Sequence, residues 1–108
     1  LFWDWGVPTA TSIIEVKSTT NIPIIASGGI RTGIDIAKCI SLGASLVGIA
    51  QPLLPPAVKS SREVVTKIDK ILQEFKTSMF VTGSRTIRDL SDSRHVITGK
   101  LSEWQMAL

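Results

Sequence analysis

The sequence predicts an α/β fold built on parallel strands, and three features predict it. Two short apolar runs, residues 22–26 (Ile-Pro-Ile-Ile-Ala) and the stretch within residues 45–50 that reads Leu46-Val47-Gly48-Ile49-Ala50, do not alternate with polar residues. Strands covered on both faces show that pattern, as in a parallel sheet. Each run follows a stretch with helical periodicity, and the connections are short, so helix, strand, helix and strand succeed one another in a βαβ rhythm.

Residues 1–9 form an opening loop, Leu-Phe-Trp-Asp-Trp-Gly-Val-Pro-Thr. A first helix is expected from about Thr9 to Ser18, with Ser12 and Glu15 at capping-box spacing and Ile13, Ile14 and Val16 apolar. After the strand at 22–26, a second helix spans 33–42. Ile34, Ala37 and Ile40 recur there at three-residue steps, and Ile36 and Ile40 at four. Asp35 in the first turn and Lys38 beyond it suit the helix dipole, and Gly43 is a left-handed stop.

The strand at 45–50 is ended by Pro52, Pro55 and Pro56, which forbid a central ladder position. A longer helix over 60–82 opens on Ser60 and Glu63, again at capping-box spacing. Val64, Val65, Ile68, Ile71, Leu72, Phe75 and Met79 form its apolar stripe, with Lys67, Lys70, Gln73 and Lys76 opposite and Gly83 as its stop. Met79 and Phe80 read as core. In the extension 84–108 the expectation is a short helix at Thr86–Leu90, an extended Val96-Ile97, a turn at Thr98-Gly99 and a last turn at Leu101–Trp104.

Composition bounds the partners. Of 108 residues, 44% are hydrophobic and 19% charged, which argues against disorder. The 12 Lys+Arg exceed the 9 Asp+Glu by a net +3, but the basic residues are scattered, so nucleic acid is not the expected partner. Cys39 is the single cysteine and can form neither an intrachain disulfide nor a thiolate cluster, so a reducing, cytoplasmic setting is the default. No apolar run approaches the ~20 residues that span a bilayer, so no membrane partner is expected. Two parallel strands buried on both faces leave their outer backbone groups unpaired, and a two-stranded unit is marginal in water. Further strands must come from residues N-terminal to these or from another chain, and with a chain that begins at Leu1 rather than Met the simpler expectation is a fragment lacking its N-terminal part.

The most informative stretch for chemistry is Ala26-Ser27-Gly28-Gly29-Ile30-Arg31-Thr32-Gly33, between an apolar strand and an amphipathic helix. Gly28 and Gly29 let the backbone turn sharply and approach an anion with unobstructed N–H donors, and the following helix adds its positive end. A plain tight strand–helix turn is the alternative. Ala50-Gln51, ending the second run, would lie beside Gly29-Ile30 at the same sheet edge, where ligands of parallel sheets bind. Two successive strand ends of this kind match the phosphate cup that many (β/α)8 barrels build after strands seven and eight. Arg31 is either a phosphate partner or a solvated first-turn residue. The aromatic opening reads as a lid over an apolar substrate, or as Trp side chains pinning the loop against a neighbour. His95, in a polar stretch, reads as a surface histidine, and Cys39 as a small packing residue. No metal-ligand spacing, nucleophile elbow or paired carboxylates stand out.

Three blocks together resemble the type 2 isopentenyl-diphosphate isomerases: Phe2 to Thr9, Ile24 to Lys38 with its Ser27-Gly28-Gly29-Ile30-Arg31-Thr32-Gly33 centre, and Leu42-Gly43-Ala44 with Val47-Gly48-Ile49-Ala50. The tail Ile97-Thr98-Gly99-Lys100-Leu101-Ser102-Glu103-Trp104 is similar to the C-terminus of archaeal members. The strand–Gly-Gly–helix element is shared by 2-hydroxy-acid oxidases and inosine-monophosphate dehydrogenase, whereas the Phe2 to Thr9 loop favours the isomerases. The resemblance implies a flavin (β/α)8 TIM barrel, of which residues 1–108 hold the C-terminal part, about strands seven and eight with their helices. It implies interconversion of isopentenyl and dimethylallyl diphosphate by proton addition and elimination, with reduced FMN, no net redox change, NAD(P)H as the flavin's reductant and Mg²⁺ on the substrate diphosphate.

Carried onto this chain, Gly29, Ile30 and Arg31 with Ala50 and Gln51 would bind the FMN phosphate, mainly through backbone N–H groups, while Gly28 shapes the turn. The family's Mg²⁺, substrate and flavin-ring contacts lie on earlier strands, so the fragment alone is expected to be inactive. A homotetramer or octamer is implied as well. The alternatives are another FMN-dependent barrel, such as a 2-hydroxy-acid oxidase, and a free-standing phosphate-binding module.

Overall fold

Proline decides where the first helix begins. Pro8 sits at φ −58° and ψ 145°, and helix α1 runs Thr9–Thr19 directly behind it. The Ser12 N–H donates to the Pro8 carbonyl (3.0 Å), so Ser12 and Glu15 lie inside the helix and cap nothing, which corrects the capping-box expectation. The preset proline φ makes an earlier start cheap. This computed structural model describes residues 5–107; Phe2, Trp3 and Asp4 of the aromatic opening lie outside the described residues.

From α1 the chain enters β1 (Ile25–Ala26), then α2 (Gly33–Leu42) and β2 (Leu46–Val47). The strands are parallel, with Ile25 opposite Leu46 and Ala26 opposite Val47. Both are shorter than the runs at 22–26 and 45–50. Flanking bonds from the Ser45 N–H to the Ile24 carbonyl (2.8 Å) and from the Gly48 N–H to the Ala26 carbonyl (2.7 Å) carry the pairing slightly further. Pro23 lacks an N–H ahead of β1, and Gly28 and Gly29 take positive φ behind it, so regular pairing stops there.

The inner face of this pair is buried and the other is open. Ala26, Ile13, Ile30, Cys39 and Ala44 form one core cluster against which Val47 packs. Ile25 and Leu46, side by side on the opposite face, are 67% and 62% exposed. Cover on both faces is therefore not provided by the described residues.

A 3₁₀ turn at Gln51–Leu53 leads into α3 (Leu54–Lys59), which the sequence reading missed. Its prolines occupy the first turn, where no intrahelical N–H is needed. Helix α4 (Ser61–Val81) starts where the Ser60 side chain accepts from the Glu63 N–H (3.1 Å). Its buried stripe is narrow. Ile71 is buried and Phe75 and Met79 pack on the cluster of Ala37, Ile40 and Leu90, while Val65 and Leu72 face outward. Phe80 is 85% exposed, which corrects its reading as core, because one residue past Met79 turns it about 100° off the stripe.

Helix α5 (Ile87–Ser91) has a reciprocal box between Thr86 and Asp89, and α6 covers Gly99–Ala107, longer than the single expected turn. Val96 and Ile97 join no strand. His95 is exposed, and its Nδ1 lies 3.2 Å from Ser41 Oγ. Trp5 is 81% exposed. No helix among the described residues is long and apolar enough to cross a membrane.

The closest packing joins α2 to α4 at Gly33. A Cβ there would run into the Ile71 carbonyl oxygen and the Phe75 nitrogen, and would lie 2.7 Å from Glu74 Cβ. Gly33→Ala is expected to lower stability by about 3 kcal/mol through overpacking against backbone, read as the urea-unfolding midpoint of the full-length protein. A second expectation concerns Cys39, which is buried on the inner side of α2. Burial first, and the charge of Asp35 second, push its thiol above the usual range. Neutral thiol is thus favoured in the folded chain, and its stabilising share is kept at neutral pH and lost as the pH rises beyond the ordinary thiol range. Iodoacetamide should label Cys39 slowly in the native protein and fast after unfolding; equal rates would contradict the assignment.

Candidate functional site

The ends of β1 and β2 open onto one edge. Behind Ala26, Gly28 (φ 105°) and Gly29 (φ 70°) take conformations that L side chains adopt rarely, so Ser27-Gly28-Gly29-Ile30 folds back on itself within one turn. A Cβ on Gly28 would sit 3.1 Å from Thr9 Oγ1, whose hydroxyl donates to the Gly28 carbonyl at 2.8 Å. The start of α1 thereby ties down the upstream side of the turn. A Cβ on Gly29 would meet nothing within 4 Å and would project into open space.

Gly28, Gly29, Ile30, Arg31, Ala50 and Gln51 all line a single cavity of about 300 Å³, with Ser27, Gly48 and Pro52 completing its wall. The structure thus brings together every residue that the sequence singled out for a phosphate. It is not the largest cavity. One of about 630 Å³ lies between α2, α4 and the segment around His95, but it contains no glycine turn. The smaller cavity sits at the ends of both strands, with the glycine turn in its wall.

Donors, rather than side-chain charges, dominate its wall. Among the described residues, the backbone N–H groups of Gly29, Ile30, Ala50 and Gln51 have no acceptor. Arg31 is exposed, lines the same cavity and has no acidic partner among the described residues. Its backbone N–H is already engaged, donating to Asp35 Oδ2 at 3.0 Å, so Arg31 can offer an anion its guanidinium but not its amide.

Helix α2 closes its own N-terminus. The Thr32 N–H also donates to Asp35 Oδ2 (3.2 Å), and the Asp35 N–H donates back to Thr32 Oγ1 (3.1 Å). The Gly33 N–H donates to Glu74 Oε1 (3.3 Å) from α4. Most of the expected help from the helix end is therefore taken up by Asp35 and Glu74, which leaves the turn and the second strand end as the donors in the cavity wall. Thr32-x-x-Asp35 has capping-box spacing that could have been read from the sequence. Nothing local could have disclosed Glu74, which lies 41 residues from Gly33. Groups of three or more His, Cys, Asp or Glu able to hold a metal do not occur among the described residues.

The FMN-dependent dehydrogenase family matches residues 3–98 of this chain. The chain is 50% identical over 104 residues to an isopentenyl-diphosphate delta-isomerase of Methanococcus maripaludis, covering 96% of this chain and 29% of the relative. It is 52% identical to the Methanothermobacter thermautotrophicus enzyme of that name, covering 96% and 30%, and 51% identical to that of Pyrococcus furiosus, covering 95% and 26%. The chain thus spans under a third of the length of these curated relatives. Among solved structures, a GMP reductase from Trypanosoma brucei in complex with guanosine 5'-triphosphate superposes with a TM-score of 0.67 at 26% identity, over 87% of this chain and 24% of that one.

The reciprocal Thr32–Asp35 bonds generate an expectation of their own. Thr32→Ala and Asp35→Ala should each lower stability by about 1 kcal/mol, because each removes a cap acceptor. The double variant should lose less than the two singles together, since both act on one box. Strict additivity in urea unfolding would show that the two act separately.

Proposed function

We propose, from the premise that this chain belongs to the FMN-dependent dehydrogenase family, that it is part of an FMN-dependent isopentenyl-diphosphate delta-isomerase and holds the phosphate end of the flavin site. The activity rests on one observation, the 45–52% identity to relatives of that name. The site rests on the geometry of the cavity. In this reading β1 and β2 are the seventh and eighth strands of a (β/α)8 barrel, whose phosphate sites form after those strands.

The residues present fit a phosphate. Gly29 and Ile30 on one strand end, with Ala50 and Gln51 on the next, line one cavity and carry N–H groups without acceptors among the described residues. The open space beside the Gly29 Cα lets an oxygen come close to the backbone. Gly28 sets the turn and Thr9 braces it. The Arg31 guanidinium balances the anion's charge from the rim, and such charge-assisted bonds are about twice as strong as neutral ones. FMN held there would supply a flavin ring whose reduced form serves proton addition and elimination at the allylic carbons, with no net redox change. The chain's share of the chemistry is to hold that ring by its phosphate tail.

Mg²⁺ and NAD(P)H enter the proposal through the family resemblance. The described residues provide no metal-holding group, so contacts to Mg²⁺ and to the substrate diphosphate are assigned to the rest of the protein. A homo-oligomer is supported by apolar residues left outside, Leu54 and Val58 on α3 and Val65 on α4. A cytoplasmic setting is supported by the single, free cysteine. A second reading, oxidation of a 2-hydroxy acid, draws on the dehydrogenase name of the matching family.

With FMN and a reductant, the full-length protein should convert isopentenyl diphosphate into dimethylallyl diphosphate. Full activity in flavin-free protein, or turnover of 2-hydroxy acids instead, would overturn the reading. Arg31→Ala should weaken FMN binding about tenfold and Gly29→Val by more, because a charge-assisted bond is worth ~1.5–3 kcal/mol and a branched side chain would fill the cavity. Flavin-fluorescence titration measures both.

A further inference from the structure

We propose that Glu74, on α4, is a positioning residue for the phosphate-binding turn; this rests on the phosphate assignment above. Gly33 is the first residue of α2 and follows that turn by three positions. Its N–H donates to Glu74 Oε1 at 3.3 Å, in a partly buried setting. The α4 backbone occupies the place a Gly33 side chain would take, so Glu74 is pressed against the start of α2 by the helix–helix contact itself.

Three other N–H groups of this corner are engaged as well, and that of Ile34 has no acceptor among the described residues. Those of Arg31 and Thr32 meet Asp35, and that of Asp35 meets Thr32. With Gly33 held by Glu74, the opening peptides of α2 cannot swing toward the cavity. Gly29 and Ile30, whose N–H groups have no acceptor among the described residues, line it. The turn is thus braced upstream by Thr9 on Gly28 and downstream by Glu74 on Gly33. A carboxylate in direct contact with phosphate would oppose binding, and Glu74 does not line the cavity. Its effect runs through the Gly33 amide.

FMN and riboflavin differ only in the phosphate, so they separate positioning of the turn from general support of the fold. Both flavins are titrated into the full-length protein by fluorescence quenching. Glu74→Ala is expected to weaken FMN about tenfold, because a turn released from its downstream brace must be ordered at the moment of binding, and to leave riboflavin unchanged. Glu74→Gln keeps an accepting oxygen and should restore FMN affinity to within about twofold of the parent. Glu74→Asp, one methylene short of Gly33, should behave like the alanine variant and serves where that variant does not fold. Unchanged FMN affinity in both the alanine and aspartate variants would overturn the proposal, as would equal weakening of the two flavins. A parent protein that binds FMN no tighter than riboflavin would instead overturn the phosphate assignment, and is told apart because no variant is involved.

Discussion

Everything at the sheet edge depends on the contact of two backbones at Gly33. Helices normally keep 8–10 Å between axes because side chains stand between them. Here one helix presents a bare Cα to the other, so the carbonyl of Ile71 and the amide of Phe75 approach where a methyl group would otherwise stand. That approach does two things at once. It brings the Ala37–Ile40 face of α2 onto Phe75 and Met79, which builds the second core cluster around Leu90. It also places the first amide of α2 within reach of Glu74. Packing and the geometry of the site are therefore one constraint.

This arrangement changes how an anion would be held. A strand–glycine–helix junction invites the view that the helix dipole draws the phosphate. In this chain two carboxylates, Asp35 and Glu74, already occupy the first amides of α2. They satisfy groups that no intrahelical partner could reach, and their charge offsets the positive helix end. Attraction must then come from the unengaged donors of the turn and of the second strand end, with the Arg31 guanidinium supplying the only full positive charge in the cavity wall among the described residues. Short-range hydrogen bonds, rather than a diffuse field, would set both affinity and orientation.

Local features were legible in the sequence, and long-range ones were not. The helix at Gly33–Leu42 and the long helix after Ser60 could be read because their signals, a stop glycine, a capping serine and an apolar stripe, lie within a few residues of what they control. The same logic failed at Ser12, where the capping-box spacing was real but Pro8 had already begun the helix. It failed at Phe80, where an apolar residue adjoining a stripe points away from it. Helix α3 was hidden by prolines that read as breakers and act as first-turn residues. For the site, the glycine turn and the second strand end were recognisable as residue types. Thr9 and Glu74 were not, since each acts on a backbone atom 19 or 41 residues away and an ordinary threonine or glutamate carries no mark of it.

The strand pair leaves one sheet face open. Ile22, Ile25 and Leu46 are each more than half exposed, although each sits in or beside a strand whose other face is closed by helices. Full burial of such a side chain is worth about 1.5–3 kcal/mol, so three of them in the open forgo several kcal/mol, a large part of a typical domain's net stability. The edges of a two-stranded pair leave further amides and carbonyls unmatched. In the proposed barrel both deficits would be removed together, because closure pairs each strand edge and turns one sheet face into an interior filled by side chains. The mouth of that barrel would lie at the strand ends, where the donors of Gly29, Ile30, Ala50 and Gln51 stand. A flavin anchored there by its phosphate would be held at the rim by residues whose positions are set from outside the barrel, by α1 through Thr9 and by α4 through Glu74.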